Sequence, residues 1–142
     1  MRSMVLLIDA NVLFDFVMHR QSGYAEAKKV LDFCRTEKVK GYMAFHTVSI
    51  LWYVLRKKPD LERRQLILDL CKIVTVHGAP HDAVVAAIEN DKFMDFEDCL
   101  QEKCAEAVKA DYIVTGNTKD YTASSIPFIT PFQILEILEV MA

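Results

Sequence analysis

With 142 residues and 16.2 kDa, the chain suits a single domain, 1–142. It is long enough to bury about two-thirds of its unfolded surface without a disulfide or structural metal. A composition of 52% hydrophobic and 26% charged residues, with 4 Gly and 4 Pro, excludes a disordered, collagen-like or low-complexity chain. The net charge of −3 is unevenly spread, 13 Lys/Arg against 8 Asp/Glu in residues 1–72 and 4 against 12 in residues 73–142. That asymmetry fits an acidic site beside a basic rim, or helix faces that simply differ in charge.

The first apolar run, 5–8, stops at Asp9. It is too short for a signal peptide or a membrane span, so a soluble, cytoplasmic protein with no membrane partner is expected. Residues 22–38 place Tyr24, Ala27, Val30, Leu31 and Cys34 on one face at helical spacing. A second apolar run follows at 42–45. Helical stretches at 46–58 and 60–72 are parted at Lys58-Pro59, where Pro disfavours helix in the residue before it. Further runs at 73–76, 112–115 and 127–129 alternate with helical patterns at 81–90, 96–110 and 131–141, the last with Pro131 in its first turn. None of the apolar runs alternates strictly, which fits strands buried on both faces. The expected fold is α/β, a mainly parallel central sheet of about five strands flanked by helices.

Cys34, Cys71, Cys99 and Cys104 have no metal-binding or redox spacing. They read as reduced, mostly buried small hydrophobes.

In open α/β sheets, ligands bind in the crevice beyond the carboxyl ends of the strands. Asp9 ends the first strand and Asn117 follows the fourth. A third piece, Met94-Asp95-Phe96-Glu97-Asp98-Cys99-Leu100, opens a helix, where acids meet the positive end of the dipole. Asp95 and Asp98 share a face, while Glu97 is expected to point elsewhere. An N-cap needs only one carboxylate. If Asp9 and Asp98 meet, two charges ~5 Å apart at an effective dielectric of ~20 repel by roughly 3 kcal/mol. A cation relieves that repulsion, and an all-oxygen donor set suits Mg²⁺ or Mn²⁺. No Gly-rich phosphate loop and no nucleophile elbow is present. His46 reads as a local hydrogen-bonding or capping residue, and Trp52 and Tyr53 as core. Arg20 fits either a phosphate contact or a solvated loop. Arg56-Lys57-Lys58 and Arg63-Arg64 could attract a polyanion.

Three strings carry a resemblance: Leu7-Ile8-Asp9-Ala10-Asn11-Val12-Leu13, Asp95-Phe96-Glu97-Asp98-Cys99-Leu100-Gln101 and Ile113-Val114-Thr115-Gly116-Asn117-Thr118-Lys119-Asp120-Tyr121. In that order, with a terminal Ile126-Pro127-Phe128-Ile129-Thr130-Pro131, the chain resembles a PIN domain from about residue 4 to 138. The resemblance implies an α/β/α sandwich, an acidic pocket holding Mg²⁺ or Mn²⁺, and metal-dependent cleavage of RNA. Many small members are VapC-like toxins neutralised by an antitoxin, and they often dimerise. By position, Asp9 and Asp98 would be metal ligands, and Thr115 the polar residue after the fourth strand. Asn117 stands where many members have a further Asp. Asp95 and Asn117 would join the catalytic group, and Asn11, Thr115 and Arg20 would contact substrate.

Two departures from the family pattern stand out. The helix after the second strand usually carries an acid, but Ile50 holds that slot in Thr47-Val48-Ser49-Ile50-Leu51-Trp52-Tyr53. Together with Asn117 in place of an acid, this reduces the quartet to Asp9 and Asp98. Asp95, Glu97, Asp120 or Asp15 could supply the missing charge. Besides a metal-dependent ribonuclease, the sequence therefore fits a PIN-like module that binds RNA or a protein partner without cutting. A phosphatase with Asp9 as nucleophile fits less well, because the usual Asp-x-Asp pattern is broken by Asn11.

Overall fold

The computed structural model describes residues 3–92, 95–118 and 124–141. Five strands, β1 (Val5–Ile8), β2 (Lys40–Ala44), β3 (Thr75–His77), β4 (Tyr112–Val114) and β5 (Phe128–Ile129), form one sheet in the order β3-β2-β1-β4-β5. Every neighbouring pair is parallel. The helices are α1 (Ala10–Val17), α2 (Tyr24–Arg35), α3 (Phe45–Val54), α4 (Asp60–Cys71), α5 (His81–Glu89), α6 (Phe96–Ala107) and α7 (Pro131–Met141).

The register explains the two layers. Leu6, Ile8, Met43, Val114 and Ile129 point to one face, where they pack with Val12, Leu13, Val30, Leu31, Ile134 and Leu138 of α1, α2 and α7. Leu7, Ala44 and Ile113 point to the other face, against Cys104 and Ala105 of α6. The result is the expected α/β/α sandwich. Close approach of α2 to β2 depends on Gly41, where a Cβ would lie 2.7 Å from Cys34 Sγ and 3.0 Å from Val74 Cγ1. The last helix starts at a reciprocal capping box: Gln133 N donates to Thr130 Oγ1 and Thr130 N to Gln133 Oε1, both at 3.1 Å.

Several sequence expectations shift. A short first helix, α1, follows directly on Asp9. The apolar run at 73–76 contributes only its end to a strand, because Ile73 and Val74 close α4 with backbone bonds to Leu70 O. Tyr53 is not core: it is 62% exposed, with the Arg56 guanidinium 4.2 Å over its ring. Trp52 is half-buried and covered by Arg63 at 3.6 Å. The four thiols are free; Cys34, Cys99 and Cys104 are buried, and Cys71 is exposed. Burial pushes the Cys34 thiol up to about 12, which removes it as a nucleophile. Among the described residues, no helix is long and apolar enough to cross a membrane.

Candidate active site

The site follows from chain direction. Asp9 is the first residue beyond β1 and also the N-cap of α1, its Oδ1 accepting from Ala10 N at 2.7 Å. Its backbone N donates to Val114 O at 2.9 Å, which locks the end of β1 to the end of β4. Just past β4, Thr115 is fully buried and donates from Oγ1 to Asp9 Oδ2 at 2.8 Å. The same hydroxyl accepts from Asn11 Nδ2 at 3.3 Å and from Asn117 N at 3.1 Å. Asn11 Oδ1 in turn accepts from Gly116 N at 3.2 Å. Both Asp9 oxygens are thus oriented, and the carboxylate is only 5% exposed. This network joins Asp9, Asn11, Thr115 and Asn117, four residues that the sequence singled out.

Helix α6 brings the remaining acids to the same edge. It packs across β1, β2 and β4. Its far end leads to Asp111, whose Oδ2 accepts from Val5 N and whose own N donates to Val5 O, at the start of β1. A 12-residue helix is about 18 Å long, so its first turn lies at the carboxyl edge with Asp9. Asp95 is exposed and caps this helix, accepting from Glu97 N at 2.8 Å. Asp98 is 8% exposed. Glu97 does not simply point away: desolvation, then the charges of Asp95 and Asp9, raise its carboxyl above the usual range. Charge from β1 and from α6 therefore converges on one crevice.

The structure does not bring Arg20 into this network. It lies on the connection after α1, with Nη1 3.6 Å from Asp15 Oδ1 and its guanidinium 5.3 Å over the Phe14 ring. Asp120, with Met94, Lys119 and Tyr121 of the quoted strings, lies outside the described residues. His46 does not cap its helix: it sits within α3, near the backbone of Glu97. Burial holds the imidazole below its ordinary value, and the Glu97 backbone beside it partly offsets the effect. Ile50 is half-buried on α3 and supplies no donor.

Sequence reasoning passed over two buried polar residues. Gln101 and Glu102 stand three and four places after Asp98, the spacing that shares its helix face, and are 0% and 4% exposed. Gln101 Nε2 donates to Thr47 Oγ1 at 2.9 Å, and Glu102 Oε2 accepts from Ser125 N at 2.7 Å, tying the β4–β5 connection to α6.

The donors gathered here are hard oxygens, the type that Mg²⁺ and Mn²⁺ take, often with only one or two carboxylates and several waters. Among the described residues, no three His, Cys, Asp or Glu side chains stand together as a ready cage.

Solved structures share the fold. A toxin–antitoxin complex from Klebsiella pneumoniae has a TM-score of 0.65 and 21% identity, with 90% of this chain and 98% of that chain covered. VapBC2 from Rickettsia felis, bound to a DNA fragment from their promoter, has a TM-score of 0.65 and 12% identity over 89% and 98%. Mycobacterium tuberculosis VapC20, described as a Sarcin-Ricin loop cleaving toxin, has a TM-score of 0.65 and 12% identity over 83% and 94%. No curated protein matches the chain in sequence. A family model described as a PIN domain matches residues 5–119, and with the oriented Asp9 and the acid-bearing α6 on that span, the chain belongs to the PIN domain family.

Proposed function

We propose that the protein is a metal-dependent ribonuclease of PIN type that acts in the cytoplasm. The observation that carries this reading is the buried carboxylate of Asp9, fixed by Ala10 N and the Thr115 hydroxyl at the end of β1, with Asp98 buried in the first turn of α6. Asp9 and Asp98 would hold Mg²⁺ or Mn²⁺. When bound, such an ion supplies an activated water and neutralises charge developing on a phosphodiester. The chain's own residues do the rest. Thr115 keeps Asp9 oriented. Asn11 braces the Gly116 backbone, and with it the turn that carries Asn117. Asp95 and Glu97 add negative potential at the rim. Arg20 would have to exchange Asp15 for a phosphate to take part.

A toxin role, with an antitoxin as protein partner, goes with this reading, because the structural neighbours include toxin–antitoxin complexes. It is also supported by an apolar groove of about 590 Å³ between α3 and α4, lined by Phe45, Val48, Trp52, Ile67 and Leu68 with Arg64 at its rim. Such a groove fits the apolar face of a partner helix. Homodimerisation is part of the same proposal. The Ile50 slot favours one second reading, a PIN module that binds RNA or protein without cutting. Incubating metal-free protein with RNA, with and without Mn²⁺, separates the two. Cleavage that appears only with Mn²⁺ supports the nuclease; intact RNA under both conditions supports the binding module.

A further inference from the structure

Two buried polar atoms have no hydrogen-bond partner, Gln101 Oε1 on α6 and His46 Nε2 on α3. Gln101 has no exposed surface, and its amide nitrogen is committed to Thr47, which is equally buried. His46 adjoins Thr47 in sequence, and the backbone of Glu97, one turn before Gln101 on α6, lies near enough to its ring to raise the imidazole's pKa. Both residues therefore adjoin one seam, the Gln101–Thr47 contact between α6 and α3. A buried acceptor without a donor costs about 1–3 kcal/mol. Protein interiors meet this need with an ordered water making about three hydrogen bonds.

The position of the seam gives it meaning. Gln101 follows Asp98 by three residues and shares its face of α6; Thr47 precedes Ile50 by three and shares its face of α3. The carboxamide thus bridges from the helix that carries the acid to the helix that lacks one. Resting on the nuclease reading above, we propose that Gln101 is a positioning residue of the acidic crevice. Its Oε1, together with His46 Nε2, holds an ordered water that presents a neutral oxygen on the α3 side. That oxygen takes over the orienting part of the role that Ile50 cannot fill.

A crystal structure of the protein and calorimetric Mn²⁺ titration of Gln101→Leu and Gln101→Glu, each checked by thermal melting, test this. The expected results are a water within hydrogen-bond distance of Gln101 Oε1, Mn²⁺ affinity at least about tenfold weaker in Gln101→Leu, and affinity several-fold tighter in Gln101→Glu, which restores a carboxylate. A Gln101→Leu protein that melts earlier yet binds Mn²⁺ like the parent would show the amide to be a packing strut only, and overturns the proposal. Should Gln101→Leu not fold, unchanged or weaker Mn²⁺ binding by Gln101→Glu overturns it equally. If the parent binds no Mn²⁺, the nuclease reading fails and the positioning role falls with it; a parent that binds Mn²⁺ with a dry Oε1 overturns this proposal alone.

Discussion

Asp9→Asn and Asp98→Asn should each lower Mn²⁺-dependent RNA cleavage about 100-fold or more, with both proteins still folded. Each substitution removes one of only two carboxylates proposed to hold the ion. Loss even of residues that merely orient metal ligands typically costs 10–100-fold. The two variants fail for partly different reasons. In Asp9→Asn the new amide can keep the bond from Ala10 N, but its NH₂ then faces the Thr115 hydroxyl. That hydroxyl already accepts from Asn11 Nδ2 and Asn117 N, so three donors would compete for one oxygen. Asp9→Asn therefore also loosens Asn11 and Asn117. Asp98→Asn tests the charge itself. Time courses at saturating Mn²⁺ check both. Parent-like rates in both variants would remove the nuclease from consideration.

Leu31→Ala should destabilise the fold by about 2–5 kcal/mol. Leu31 has no exposed surface and sits on α2 among Leu6, Ile8, Val30 and Met43, in the larger of the two apolar layers. Truncation removes buried methyl groups and leaves a cavity that a packed sheet and helix close only in part. Urea unfolding should show a lower midpoint at unchanged slope. Leu61→Ala is the contrast, because Leu61 is 82% exposed on α4. Its effect should stay within about 0.5 kcal/mol. Equal losses at the two positions would contradict the assignment of the core.

What the sequence revealed follows from how each feature is encoded. Strand β1 and helix α7 match their expected bounds because an uninterrupted apolar run between polar residues, and a proline in a first turn, are local signals. Tyr53 misled because α3 is apolar yet lightly packed: only Thr47 and Leu51 on it are fully buried. Ile73 and Val74 looked like strand because β-branched residues that plug the end of a helix read the same way as those in a sheet.

For the site, the rule that places ligands at strand ends made candidates of Asp9 and Asn117, the acid cluster opening α6 did so for Asp98, and the family resemblance for Thr115. Arg20 stays open between a phosphate contact and a solvated loop in the sequence because nothing local tells which way the connection after α1 turns. The Gln101–Thr47 seam links positions 54 residues apart, and the Glu102 anchor reaches 23 residues ahead. Neither leaves a periodic trace. The i+3 and i+4 spacing from Asp98 was their one available sign.

Anomalous diffraction from crystals soaked in Mn²⁺ puts the account to its hardest trial. A single manganese peak should lie within about 2.0–2.4 Å of a carboxylate oxygen from each of Asp9 and Asp98. A peak elsewhere on the surface, or none at saturating Mn²⁺, would contradict the idea that these two side chains share one ion.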